Sequence, residues 1–397
     1  MFVARRYRSL LEAAKRDRNE KRFWRELPEM IAAHSPSEFS IRQLFEAFVD
    51  DGREMLDIWA FESRGYGNET SFADLLEAGV TTTAFARITE KIFGDVVLDV
   101  WNEPEYIGDQ LVDTQSTRYL DGEKMAGISL VGEQLEAIGE GMPYPLAGVT
   151  EEYVESPRTS KYGNIVPVTK EALIADRTGE LIRRCQTNAR GLRQNKEKRI
   201  LDVVLGISNT YRRNGGNAQN TYGTSHTEGD FSNLVTGNAM GNDFACVEAS
   251  DNAFEALTDP NTGDPISVMP NAVIVVNEKK NLAHRIFNAT EFRDVTGSRT
   301  MIYSNPLNMP RPDGMQNNEK VFANKYIKSR LSGTTTTWFR GNFPMAFGYA
   351  QVWPIMTTRA PRNSNLEFHN DIVEQFKVSE RGVPYVKEPR YVQKNTA

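Results

Sequence analysis

Cysteine is almost missing from this 397-residue sequence: Cys185 and Cys246 are the only two, far apart and without a Cys-x-x-Cys spacing. That excludes a disulfide framework and a zinc ribbon, and two isolated thiols fit a reducing compartment. No apolar run reaches the ~20 residues of a membrane-spanning helix. Histidine is scarce as well. His34, His226, His284 and His369 each stand alone, and a lone histidine is more often a surface or satisfied core residue than a catalyst or ligand. Glu278 and His284 share a helical stretch, but six residues apart they fall on different faces. There is no Gly-x-x-x-x-Gly-Lys-Ser/Thr loop, no Gly-x-Gly-x-x-Gly after a strand and no His-Glu-x-x-His. The net charge of −6 excludes a molecule that is basic overall and binds nucleic acid for that reason. The first residues are arginine-rich, yet Glu12, Asp17 and Glu20 interrupt them, unlike a transit peptide. No secretory apolar core is present, so a cytoplasmic product is expected.

What is present is an ordinary soluble composition, 39% hydrophobic and 25% charged, in a chain long enough for about two or three domains. The N-terminal hundred residues show short helical patterns over 5–25, over 42–56 behind a Ser40 cap, from Ser71, and over Phe85–Trp101. The apolar stripe of the first is too thin to bury on its own, and together the set resembles an extended arm that needs partners. Between Asp113 and Val168 the pattern becomes β. Asp121-Gly122 reads as a hairpin turn between Gln115–Leu120 and Glu123–Leu130, Glu140 to Pro145 (EGMPYP) cannot be helical, and Glu151–Glu155 and Gly163–Val168 read as short strands. So long an excursion normally serves binding or assembly.

The strongest helix is Gly179–Leu205, with Ile182, Cys185, Ala189 and Leu192 forming one seam. Arg183, Arg184, Arg190, Arg193, Lys196, Lys198 and Arg199 surround that seam, and Gly191 is its weak point, costing about 1 kcal/mol against alanine. Asn214 to Gly241 reads as a long exposed loop. A helix at Ala253–Leu257, a turn at Asp259–Gly263, a fully buried strand at Ala272–Val276 and a helix at Glu278–Phe287 then form a second globular unit. Strands follow at Val352–Met356, Ile372–Val378 and Val383–Val386.

The acid pairs Asp50-Asp51 and Glu151-Glu152 and the run Glu133–Glu140 have the ordinary look of solvent-facing carboxylates. Asp259 to Asp264 lacks the spacing of a calcium loop. The basic helix either faces solvent, pairs with acidic arms of neighbouring subunits, or faces enclosed nucleic acid. The basic N-terminal residues Arg5, Arg6, Arg8, Lys15 and Arg16 are suited to nonspecific phosphate contact.

In order, the arm, β excursion, basic long helix, central unit and returning strands resemble the HK97-type major capsid protein of tailed bacteriophages. Specific wording occurs in EGMPYP followed by Lys161 to Asp176 (KYGNIVPVTKEALIAD), which looks like the end of that family's E-loop and the approach to its spine helix. It occurs again in Phe368 to Gly382 (FHNDIVEQFKVSERG), leading to Glu388–Val392 (EPRYV), similar to the last P-domain strands of Mu-like head subunits. The resemblance implies an α+β fold with an N-terminal arm at 1–110, a β-hairpin E-loop at 111–168 and a discontinuous P-domain at 169–245 holding a spine helix at 177–205. An A-domain at 246–349 and P-domain return strands at 350–397 complete it.

The same resemblance implies self-assembly into pentamers and hexamers of an icosahedral head enclosing double-stranded DNA, in a virion component made in the host cytoplasm. It implies no catalytic residue, metal or cofactor and no membrane. Scaffold, portal and cement proteins are the implied partners, the scaffold as a separate protein. Lys124, Glu151, Glu152, Arg158, Arg183, Arg184, Arg190 and Arg193 become candidates for inter-subunit contact, and Arg5, Arg6, Arg8, Lys15 and Arg16 for the DNA-facing interior. One family member cross-links a lysine on this loop to an asparagine. Lys124 with Asn363, Asn365 or Asn370 is the corresponding hypothesis, against an ordinary surface lysine. An encapsulin-type compartment and an enzyme with an unrecognised site are the alternatives.

Overall fold

A computed structural model describes residues 81–103, 106–126, 153–169, 180–226, 231–241, 245–258, 265–288, 291–296, 299–304, 319–359 and 372–397, with Leu10, Ala13, Leu44 and Glu46. The helices expected over 5–25, 42–56 and from 71 therefore fall outside the described residues, those four apart, and so do EGMPYP, the turn at 259–263 and residues 170–179.

In chain order the first elements are α1 (Thr81–Trp101), α2 (Gly108–Leu111), β1 (Asp113–Ser116), β2 (Lys124–Ala126), β3 (Tyr153–Glu155), β4 (Ser160–Thr169) and α3 (Glu180–Val204). Next come β5 (Leu234–Val235), α4 (Ala245–Glu255), β6 (Ala272–Val276), α5 (Lys280–Asn288), β7 (Glu291–Thr296), β8 (Arg299–Ser304) and β9 (Lys320–Asn324). Last are α6 (Lys325–Arg330), β10 (Trp338–Gly341), α7 (Phe343–Ala346), β11 (Phe347–Arg359), β12 (Ile372–Val386) and β13 (Val392–Asn395). The chain groups into two compact units, one of Met1–Glu103, Lys161–Gln194 and Trp353–Glu380, the other of Pro104–Ser160, Asn195–Val352 and Arg381–Ala397.

In the first unit α1 buries Ile92, Phe93, Val96, Val97 and Val100, the three- and four-residue steps of one helical face, and leaves Leu98 exposed. Phe93 packs on Phe376 with ring centroids 4.1 Å apart. Val97 and Val100 meet Ala189, Leu192 and Val378 in one cluster. The seam expected on α3 is the buried one: Ile182, Cys185, Ala189 and Leu192 are all inside. Burial pushes the Cys185 thiol up to about 12, which makes it inert rather than reactive. Gly191 has open space around it and the helix runs through it unbroken. Strand β4 lies so close to β12 that a Cβ at Gly163 would come 2.7 Å from the Val378 carbonyl oxygen.

The second unit is built on a five-stranded sheet in the order β5-β13-β10-β6-β9. All five residues of β6 are buried, as its unbroken apolar run requires when both faces are covered. Ala272, Ile274 and Val276 face a core with Ile200, Leu201, Val204, Phe339 and Phe343. Val273 and Val275 face the opposite cluster of Val247, Ala283, Ile286 and Phe287, from α4 and α5. Strand β1 pairs in parallel with Gly348–Gln351 of β11.

Four local expectations are corrected. Asp121-Gly122 does not turn a hairpin between its flanks: β2 pairs antiparallel with β3, as Lys124↔Glu155 to Ala126↔Tyr153. Gly122, at φ 102°, instead lets the chain pass over Ser156, where a Cβ would sit 2.4 Å from the carbonyl oxygen. The stretch after Asn214 is not simply an exposed loop, because Thr221, Tyr222, His226, Phe231, Asn233 and Asn238 are buried. The helix expected at Ala253–Leu257 starts at Ala245. Finally, the two strands expected around Ser379–Gly382 are one, β12. Glu380 is buried there, and Gly382 admits the Tyr349 ring, which a Cβ would approach to 2.6 Å.

Candidate assembly surfaces

The long helix distributes its arginines unequally. Arg183 and Arg184 are exposed on its first turns. Arg190 is committed to Glu103, its Nη2 2.9 Å from the carboxylate. Arg193 is buried, donates from Nε to the Trp101 carbonyl at 3.1 Å and lies over the Trp101 ring. These two therefore brace α3 against the end of α1. Sequence alone does not separate them from Arg183 and Arg184, because all four follow the same basic pattern.

The β2–β3 ribbon is anchored at its base and charged at its surface. Val154 is buried in the core of the second unit, Tyr153 N–H donates to Asn214 Oδ1 at 3.1 Å and Glu155 N–H to the Arg212 carbonyl at 3.0 Å. Lys124 is 64% exposed, 3.9 Å from Glu155 and 4.2 Å above the Tyr153 ring. Arg158 and Asp121 pair at 3.3 Å with both side chains open to solvent, a geometry that contributes little stability and leaves both free to change partners. Tyr119 and Leu120 are exposed beside them. Glu151, Glu152, Arg5, Arg6, Arg8, Lys15, Arg16, Asn363, Asn365 and Asn370 lie outside the described residues.

What sequence reading missed is a set of buried polar groups that pin distant segments together. Glu197, fully buried on α3, accepts from Ile107 N–H at 3.1 Å, Gly108 N–H at 2.8 Å and Asn324 Nδ2 at 2.9 Å. It thereby caps α2 and holds the end of β9. A Glu197→Ala variant strands these three donors in the core and should lose on the order of 3 kcal/mol of stability, read from the urea midpoint, with Glu197→Gln losing less.

Asn233 is a second fastener. Its Nδ2 donates to the Thr221 and Pro389 carbonyls at 2.8 and 3.0 Å, and its Oδ1 accepts from Gly223 N–H at 2.9 Å. His226 Nε2 lies 3.0 Å from the same Oδ1, and its ring stacks on Phe231. Burial holds the His226 pKa below 6.5. The Asn233 hydrogen bond pulls it upward and Arg390 lowers it further. The unfolded chain therefore takes up this proton first as pH falls. The stability tied to neutral His226 is complete above 6.5 and is lost below it, down through the folded-state value. Replacing His226 with Gln should flatten that dependence between about pH 7 and pH 5, measured as urea midpoints across the range.

Among the described residues no three His, Cys, Asp or Glu side chains are grouped to hold a metal ion, and no helix is long and apolar enough to cross a membrane. Exposed charge sits on the β2–β3 ribbon and on the first turns of α3. The family whose sequence model is described as phage capsid protein matches residues 152–395, and the chain belongs to that family. It is a capsid shell protein, a component of the virion that assembles into a multi-subunit shell, and the match favours a phage coat over an encapsulin.

Similar solved structures include the capsid of a native GTA particle, at 10% identity over 72% of this chain and 88% of that one, with a TM-score of 0.43. Mycobacterium phage Ogopogo follows at 13%, over 75% and 94%, with 0.41. The Cyanophage Pam1 capsid stands at 12%, over 74% and 91%, with 0.42. These superpose only in part, and the assignment rests on the family match. No curated protein in the comparison matches the chain.

Proposed function

We propose that this chain is the major coat subunit of an HK97-type icosahedral phage head, forming pentamers and hexamers around double-stranded DNA. The observation that carries the reading is the family match over 152–395, which includes β3, the long basic helix, the five-stranded sheet and, of the wording quoted above, Lys161 to Asp176, Phe368 to Gly382 and Glu388–Val392. Residues 1–110 then act as the N-terminal arm, 111–168 as the E-loop, 169–245 and 350–397 as the P-domain with its spine helix at 177–205, and 246–349 as the A-domain. Function lies in assembly, not turnover, with the subunit made in the host cytoplasm alongside separate scaffold, portal and cement proteins.

Lys124, Arg158, Arg183 and Arg184 are the described candidates for contacts between subunits, through exposed charge that changes partner on assembly. Glu151 and Glu152 join them as candidates on the same loop. Arg190 and Arg193 act indirectly, by bracing α3. The basic residues Arg5 to Arg16 face packaged DNA through phosphates.

Electron microscopy of the purified protein tests the reading. Closed shells are expected, whereas a small monodisperse oligomer under all assembly conditions overturns it. Lys124 serves as a non-covalent contact, so mature particles should run at monomer size on a denaturing gel, and a ladder of covalent multimers would assign it a cross-link instead.

A further inference from the structure

Strand β13 lies inside its sheet, parallel to β5 on one side and antiparallel to β10 on the other, although both of those strands precede it in the chain. The hydrogen bonds of this segment reach four separate stretches. Lys394 N–H donates to the Asn233 carbonyl and Thr396 N–H to Val235, both at 2.9 Å, Asn238 N–H donates to the Thr396 carbonyl at 2.7 Å, and Asn342 N–H to Tyr391 at 2.8 Å. Ser250 Oγ donates to Gln393 Oε1 and Asn238 Nδ2 to Asn395 Oδ1, each at 2.8 Å. Gly341, at φ 151°, makes room for the segment, since a Cβ there would lie 2.1 Å from the Tyr391 carbonyl oxygen.

The segment is held by amide geometry far more than by apolar area. From Glu388 to Thr396 only Pro389, Tyr391 and Val392 are apolar in bulk, while Arg390, Gln393 and Asn395 are buried. Gln393 Nε2 and Asn395 Nδ2 have no acceptor among the described residues, and the Arg390 guanidinium makes no hydrogen bond there, only a 3.7 Å ion pair with Glu388 and a contact with the Phe231 ring. Each buried donor in that state penalises the inserted form.

We infer that the slot between β5 and β10 is a binding site for an extended peptide, filled by the chain's own 388–396 as a latch that opens separately from the rest of the sheet. Its ligand is a strand carrying a carboxamide at alternate positions, to meet Ser250 and Asn238. A second copy's 388–396 has the same chemistry, so the site also offers a route to strand exchange. The inference is independent of the shell reading, because its test needs no particles.

The test uses the full chain in two measurements. By native-state hydrogen exchange, the amides of Asn238, Asn342, Lys394 and Thr396 should exchange together at least about tenfold faster than those of β6. A labelled peptide of residues 388–397 should be taken up by the full chain, and the same peptide with Gln393→Ala and Asn395→Ala at least about tenfold less. Exchange of the four amides only at the rate of β6 overturns the latch. Absence of uptake, or equal uptake of both peptides, overturns the site.

Discussion

Removing residues 127–152 and joining Ala126 to Tyr153 through a short glycine-serine turn should give a folded, soluble subunit that forms no closed shells. The cut is placed where structure argues for survival of the remainder. The β2–β3 pairing keeps its three partners, Val154 stays in the core, and the ribbon remains tied to Arg212 and Asn214. Ser156 N–H still reaches the Glu123 carbonyl at 2.9 Å, and Thr159 N–H the Leu120 carbonyl at 3.0 Å. The contacts just named all survive the cut, whereas on the proposed reading the removed residues carry the reach to a neighbour. Shell stability is a property of the lattice and of subunit concentration, so loss of one repeated contact acts at every position at once. Size-exclusion chromatography with electron microscopy checks it, at a concentration where the intact chain is fully assembled. Normal shells from the shortened chain would contradict the E-loop assignment.

The second large effect concerns the fold itself. Arg340, in the middle of the five-stranded sheet, is 1% exposed. Its Nη2 lies 2.6 Å and its Nε 3.0 Å from the Glu319 carboxylate, and its Nη1 reaches Asp251 at 2.6 Å and the Val247 carbonyl at 3.3 Å. Glu319 is itself buried, and burial raises its pKa while Arg340 draws it back down. Desolvation of both groups is thus offset by their pairing, and removing one partner leaves the other charge inside. Glu319→Leu should lose roughly 3–5 kcal/mol, seen as a lower urea midpoint with aggregation on expression. The double variant Glu319→Leu, Arg340→Met should recover most of that loss, because a buried pair contributes little against well-packed apolar replacements. A single variant as stable as the parent would mean that Asp251 alone neutralises Arg340.

Some of this is legible in the sequence alone. The unbroken Ala272–Val276 run could only be a strand covered on both faces, and it is. The seam of α3 follows from apolar residues at three- and four-residue steps, and its limits fall within a residue of those expected. Scarce cysteine excluded a disulfide scaffold, and two stretches of wording pointed to the family that the match over 152–395 then showed.

Other features depended on tertiary contact. Glu197 caps α2 from 89 residues away, and Asn233 fastens a turn 156 residues away. In a linear pattern each is one more polar residue, indistinguishable from a solvated one. Arg193 and Arg183 read alike and end differently, one buried and one exposed, because only the position of Trp101 decides between them. The strongest local turn signal, Asp121-Gly122, served a close approach to Ser156 instead of a hairpin, since the partner of β2 is supplied by β3 beyond residue 150. Sequence by itself determined where apolar periodicity forces an element and which family the chain resembles. Tertiary structure alone decided which polar groups are buried and what satisfies them, because a hydrogen bond depends on distance in space and leaves no period in the chain.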